Sequence, residues 1–90
     1  MFPAIHRWVQ HRRAIRRSWR SEARQLVATD EVNAYYEAQR RAARARYHED
    51  RDEFYHWAKV AAEVARLSPR AEMNIEIVRR IADEEETKRM

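Results

Sequence analysis

The sequence predicts an all-α protein: three or four helices in a helical bundle or helical-hairpin array, with a long basic N-terminal helix. Three observations carry this. Glycine is absent from all 90 residues and proline occurs only twice, so tight hairpin turns that need positive φ have no suitable residue. No alternating Val/Ile/Thr run of strand type is present, whereas apolar residues recur three and four apart along most of the chain. Each proposed helix boundary falls at Pro, Ser, Thr or Asp, the residues that start and cap helices.

The first helix is expected to begin at Pro3, whose fixed φ and missing N–H suit a first turn, and to run to about Ala28. On it, Trp8, Ile15, Trp19 and Leu26 fall within about 40° of one another, a narrow seam for a partner helix, with Arg12 and Glu22 flanking it. Thr29 and Asp30 offer caps for a second helix over residues 31 to 49, with Val32, Tyr35, Tyr36, Gln39, Ala42, Ala43 and Tyr47 inward and a Glu37–Arg41 pair outside. Asp50 or Asp52 then caps a third helix whose inner face carries Phe54, Trp57, Ala58, Ala61, Ala62, Ala65 and Leu67. Ser68-Pro69 is the clearest boundary, with Ser68 as cap and Pro69 as first residue of a fourth helix over 69 to 86. That helix carries Met73, Ile77, Val78 and Ile81, with Glu76 four before Arg80, and residues 83–90 are expected to fray as an acidic tail.

Over residues 31 to 86 the layout is similar to helical-hairpin repeats such as the tetratricopeptide motif. The side chains depart from that pattern: with Pro69 set at the repeat's terminal proline, Arg44 and Ala45 stand where Leu-Gly belongs. The family is therefore not assigned.

Ninety residues allow a single small domain over 1–90, divided into a basic amphipathic helix (1–28) and a helical remainder (29–86). Among the apolar residues, 15 Ala stand against 25 larger side chains, so the core is expected to be thin and a partner or second copy to help stabilise it. The lack of cysteine excludes disulfides, thiolate metal sites and cysteine nucleophiles, and the lack of glycine excludes phosphate-cradling loops and nucleophile elbows. No window of 18 apolar residues and no signal-peptide core is present, so a cytoplasmic location is expected. An Arg-rich, acid-poor amphipathic N-terminus is also the pattern of a mitochondrial presequence, which is the alternative.

Charge is uneven along the chain. Residues 1–28 carry seven Arg and one Glu, net +6, whereas residues 29–90 are net −2. Arg13, Arg16, Arg17, Arg20 and Arg24 fall within about 100° of arc, well away from the Trp8 seam. A ratio of 17 Arg to 2 Lys also fits the codon usage of a GC-rich genome, so clustering rather than number marks the face. Such a face can meet an acidic protein, nucleic-acid phosphates or an anionic membrane. The membrane reading needs a broad apolar face and finds a thin seam. The nucleic-acid reading lacks a recognition module.

Other constellations point to structure. Glu53-x-x-His56 has di-iron spacing and His48–Asp52 could share a face, but such bundles need two motifs and further Glu on facing helices. His6 and His11 are five apart and diverge on a helix. The aromatics fit inner faces, with Tyr36 and Tyr55 the candidates for exposure. The expectation is thus a non-catalytic interaction protein, an accessory or adaptor subunit, with Arg13, Arg16, Arg17, Arg20 and Arg24 as binding residues and Trp8, Ile15, Trp19 and Leu26 as an interface. No catalytic residue, cofactor or metal is assigned. A protein partner or homo-oligomer is expected; a small nucleic-acid-binding protein and a homodimeric structural protein are the alternatives.

Overall fold

Four helices follow from these local signals in the computed structural model, which describes residues 3–89 with side chains from Arg7 onward: α1 (Pro3–Thr29), α2 (Ala34–Tyr47), α3 (Arg51–Leu67) and α4 (Ile75–Arg89). No strand occurs among the described residues. α2 is central, packing on α3 and α4, while α1 lies against α3 and, less extensively, α2. α1 and α3 run in the same direction, since Trp19 meets Tyr55 while Ala23 and Leu26 share the core with Val60, Ala61 and Val64. α4 runs with α2: the Asn74 amide donates to the Tyr36 hydroxyl, and further along Arg40 meets Glu84 and Glu85.

The core is as thin as the alanine content foretells. Ala23, Leu26, Ala34, Ala38, Val60, Ala61, Val64 and Ala71 are buried, with Trp19, Val27, Tyr35 and Trp57 packed around them. Small side chains let α2 lie close to two neighbours at once, which buries Ala34, Ala38, Ala42, Ala43 and Ala45 around much of its circumference. The inner faces are consequently rotated from those expected. Val32 and Phe54 are exposed, as are Ala62 and Ala65, while Val60 and Val64 fill the centre of α3. Tyr36, on the expected inner face but also a candidate for exposure, is buried, with the chain before α4 folded over it, whereas Tyr55 is exposed.

The helix ends show where local chemistry was read well and where it was not. Asp50 caps α3 by accepting from the Glu53 amide at 3.1 Å. α2 closes with paired bonds from the Glu49 and Asp50 amides to the Arg46 and Ala45 carbonyls, which places Glu49 at φ 61°. Residues 31–33 form a turn before α2, where Thr29 donates to the Gln25 carbonyl instead of capping and Asp30 accepts from the Asn33 side chain.

Ser68 ends α3, but Pro69 does not open α4. The buried Ser68 hydroxyl donates to Glu31 at 2.6 Å and accepts from the Arg70 and Ala71 amides, tying a non-helical link to the start of α2. The Glu72 amide adds a bond to the Val32 carbonyl. This link carries the chain from α3 across to the other flank of α2, which a helix starting at Pro69 could not do. Asn74 starts α4, its side chain accepting from the Glu76 amide at 2.9 Å. Residues 83–89, expected to fray, are helical, and Glu76 pairs with Arg79 rather than Arg80.

Candidate binding face on the first helix

α1 has 27 residues and so is about 40 Å long, whereas the 17 residues of α3 reach about 26 Å. The mismatch divides α1. From Trp19 onward it belongs to the core: Trp19 stands edge-on to Tyr55 at 5.9 Å, Ala23 is buried, and Leu26 is buried among the core side chains. Before Trp19 it projects: of residues 7–18 all are exposed except the half-buried Val9. The proposed four-residue interface therefore splits. Leu26 is internal and is corrected to a core residue, because α3 runs beside that half; Trp19 is half-buried against Tyr55; Trp8, 58% exposed, and Ile15 remain on the surface.

Arg13, Arg16, Arg17, Arg20 and Arg24 are all exposed, and among the described residues none is paired with an acidic side chain. The local sequence explains this. The lone acid of the helix, Glu22, has no Arg three or four positions away. Several guanidinium groups of the other helices are engaged: Arg41 with Glu37 at 2.8 Å, Arg66 with Glu63 at 2.7 Å, and Arg40 and Arg44 with Glu84 and Glu85, although Arg46, Arg51, Arg70 and Arg80 are in no ion pair among the described residues. Within the face, Arg13 neighbours Arg16 and Arg17, and Arg20 neighbours Arg16, Arg17 and Arg24, all at helical spacing. Each such like-charge neighbour costs a few tenths of a kcal/mol, about 1–2 kcal/mol together. No acidic residue in the first turn offsets this charge against the helix dipole.

A second charged centre was missed in the sequence. Glu85 is only 4% exposed, yet Arg40, Arg44 and Lys88 reach it at 3.2, 2.8 and 2.8 Å. Lys88, foremost, and then Arg44 hold its carboxyl well below its ordinary value, to about 2, against the opposing effect of burial. The acidic run 83–86 reads as solvated tail. The overlooked signal is that Glu85 follows Ile81 by four, on the stripe that faces α2. Its partners are all from this chain, so the centre fixes α4 to α2.

The Glu53-x-x-His56 motif is used locally: the Glu53 carboxylate accepts from the Trp57 indole at 3.0 Å, and His56 packs edge-on to the Trp57 ring. Among the described residues no group of three or more His, Asp or Glu is placed to hold a metal ion. The His6 side chain lies outside the described residues. A cleft of about 670 Å³ runs between α1 and α2, with Leu26, Ala34, Tyr36 and Ile81 among its lining and charged side chains, including Glu22, Glu37, Arg40 and Arg41, around it. Arg40 and Arg41 are already paired there with carboxylates of this chain, so no free cationic site is formed. No described helix is long and apolar enough to cross a membrane. No protein-family model matches the chain, and no curated protein or solved structure is significantly similar to it.

Proposed function

We propose that the chain is a non-catalytic, cytoplasmic interaction protein, an accessory or adaptor subunit that docks an acidic protein surface through the Arg face of α1. The supporting observation is that five exposed Arg side chains share one face of the first helix with no ion-pair partner among the described residues, whereas six of the ten Arg beyond that helix are ion-paired. Arg13, Arg16, Arg17, Arg20 and Arg24 repel one another and lack internal partners, whereas Arg40, Arg41, Arg44 and Arg66 are ion-paired. An acidic surface would relieve the repulsion and supply the missing acceptors, with guanidinium forks suited to carboxylates. Part of the face lies on a projecting half-helix, accessible from several sides. The sequence carries no glycine-containing recognition turn of the helix-turn-helix type, which favours a carboxylate surface over nucleic-acid phosphates as the target.

Co-purification at moderate salt tests this reading, with mass spectrometry of the retained material and its absorbance ratio at 260 and 280 nm. An acidic protein is expected to be retained, to be released by salt, and to be lost with Arg16→Ala/Arg20→Ala. Retention of nucleic acid instead, with a log-log salt slope near −4 to −5 on duplex DNA, would place phosphates rather than carboxylates on the face.

A further inference from the structure

We propose that two copies of this chain pair through their projecting half-helices, each inserting Trp8 into a cleft of the other. The cleft, about 480 Å³, lies between the middle of α1 and the start of α3, lined by His11, Ile15 and Trp19 of the one and Asp52, Glu53, Tyr55 and His56 of the other. It is a recess of aromatic, aliphatic and polar side chains open to solvent: Tyr55 is 55% exposed and Ile15 36%. Trp8 continues the seam that Trp19 carries into the core and is 58% exposed. The Arg12 guanidinium stacks 4.9 Å from its ring.

A second copy fits on three grounds. The first is register: two α1 helices crossing antiparallel about a two-fold between residues 11 and 12 bring Trp8 of each opposite the partner's Ile15, at the cleft mouth. The second is charge. The projecting half-helix is cationic, while the start of α3 carries exposed Asp50, Asp52 and Glu53, and Asp52 is unpaired among the described residues. In this register Arg12 of one copy faces Asp52 of the other. The third is exposed area: the chain presents 6882 Å² to solvent, against about 5,600 Å² for a compact monomer of its 11.0 kDa. Burying two Trp8 side chains and two aromatic clefts uses surface that a monomer leaves wet. The centre of the Arg face lies about 130° around α1 from this seam, so pairing leaves it outward and does not depend on the function proposed above.

Sedimentation equilibrium of the full chain from about 1 to 200 µM tests the proposal. A closed monomer–dimer equilibrium is expected. Trp8→Ala should weaken it by about 30-fold or more with unchanged helicity by circular dichroism, since Trp8 is solvent-exposed in the monomer. Arg12→Glu should weaken it about 10-fold, and Asp52→Arg added to it should recover most of that loss. Arg16→Ala/Arg20→Ala should leave it unchanged. A monomer across the range, a dimer indifferent to Trp8→Ala, an open-ended series of oligomers, or a charge swap that fails to recover association would each overturn it.

Discussion

At the scale of single residues, Glu85 makes the strongest stability claim. Its folded-state pKa is lowered, with Lys88 the largest cause, so its contribution is fully present above its ordinary value of 4.5 and is lost as pH falls toward about 2. Allowing for solvent screening at the exposed Lys88 and Arg44, this is worth about 2 kcal/mol at neutral pH. Glu85→Gln should cost about that much in urea denaturation at pH 7, and the difference from wild type should shrink by more than half at pH 3. The loss stays moderate because the substitution removes the buried charge and leaves cations that can turn to water. Glu49 offers the opposite test. Its φ of 61° is a conformation that glycine adopts freely, so Glu49→Gly should stabilise the chain by about 0.5–1 kcal/mol, read as a higher denaturation midpoint. The absence of glycine correctly indicated helices, yet it hid this position. A helix C-terminus can force a left-handed residue where the sequence supplies only Glu.

At the scale of elements, α1 is two structures in one helix. Its second half shares the core, whereas residues 7–18 rest on local hydrogen bonds and a short, self-repelling charge pattern. Amide hydrogen exchange should therefore show protection rising sharply near Trp19, with amides of residues 10–17 exchanging at least about 100-fold faster than those of 23–27 at low concentration. Uniform protection along α1 would mean that the projecting half is held by contacts absent from this fold. The Asp50 cap and the Ser68 boundary were legible because each rests on chemistry within four residues. The start of α4 was not. Ser68 looks like a cap but is committed to Glu31 and to the link 69–71, and that commitment depends on where α2 lies. The Arg face was legible as an arc, and the spacing of Glu22 already denied it a partner within the helix, but whether acids of other helices reach it depended on the packing. The seam from Trp8 to Leu26 read as one surface because helical spacing does not reveal that α3 covers only part of it.

At the scale of the whole molecule, shape and charge bear on the same question. The Cα radius of gyration is 14.9 Å, against about 12 Å for a compact chain of this length, and the extents are 51 × 33 × 18 Å. The excess follows from a helix of about 40 Å projecting past a bundle held together by alanines and a few larger apolar side chains. Such a molecule leaves its most basic element accessible, while Arg40, Arg41 and Arg44 on the central helix are tied to carboxylates of the same chain, an arrangement suited to docking. Binding through this local face, rather than through net charge, is what the proposed function requires. It is tested most directly by stopped-flow association with the acidic protein recovered by co-purification. Arg16→Ala/Arg20→Ala should slow association several-fold with little change in dissociation, because peripheral charges mainly steer encounter, whereas Arg79→Ala/Arg80→Ala, which removes the same charge from α4, should leave the rate near wild type. Equal slowing by both pairs would contradict the account and reduce the face to bulk charge.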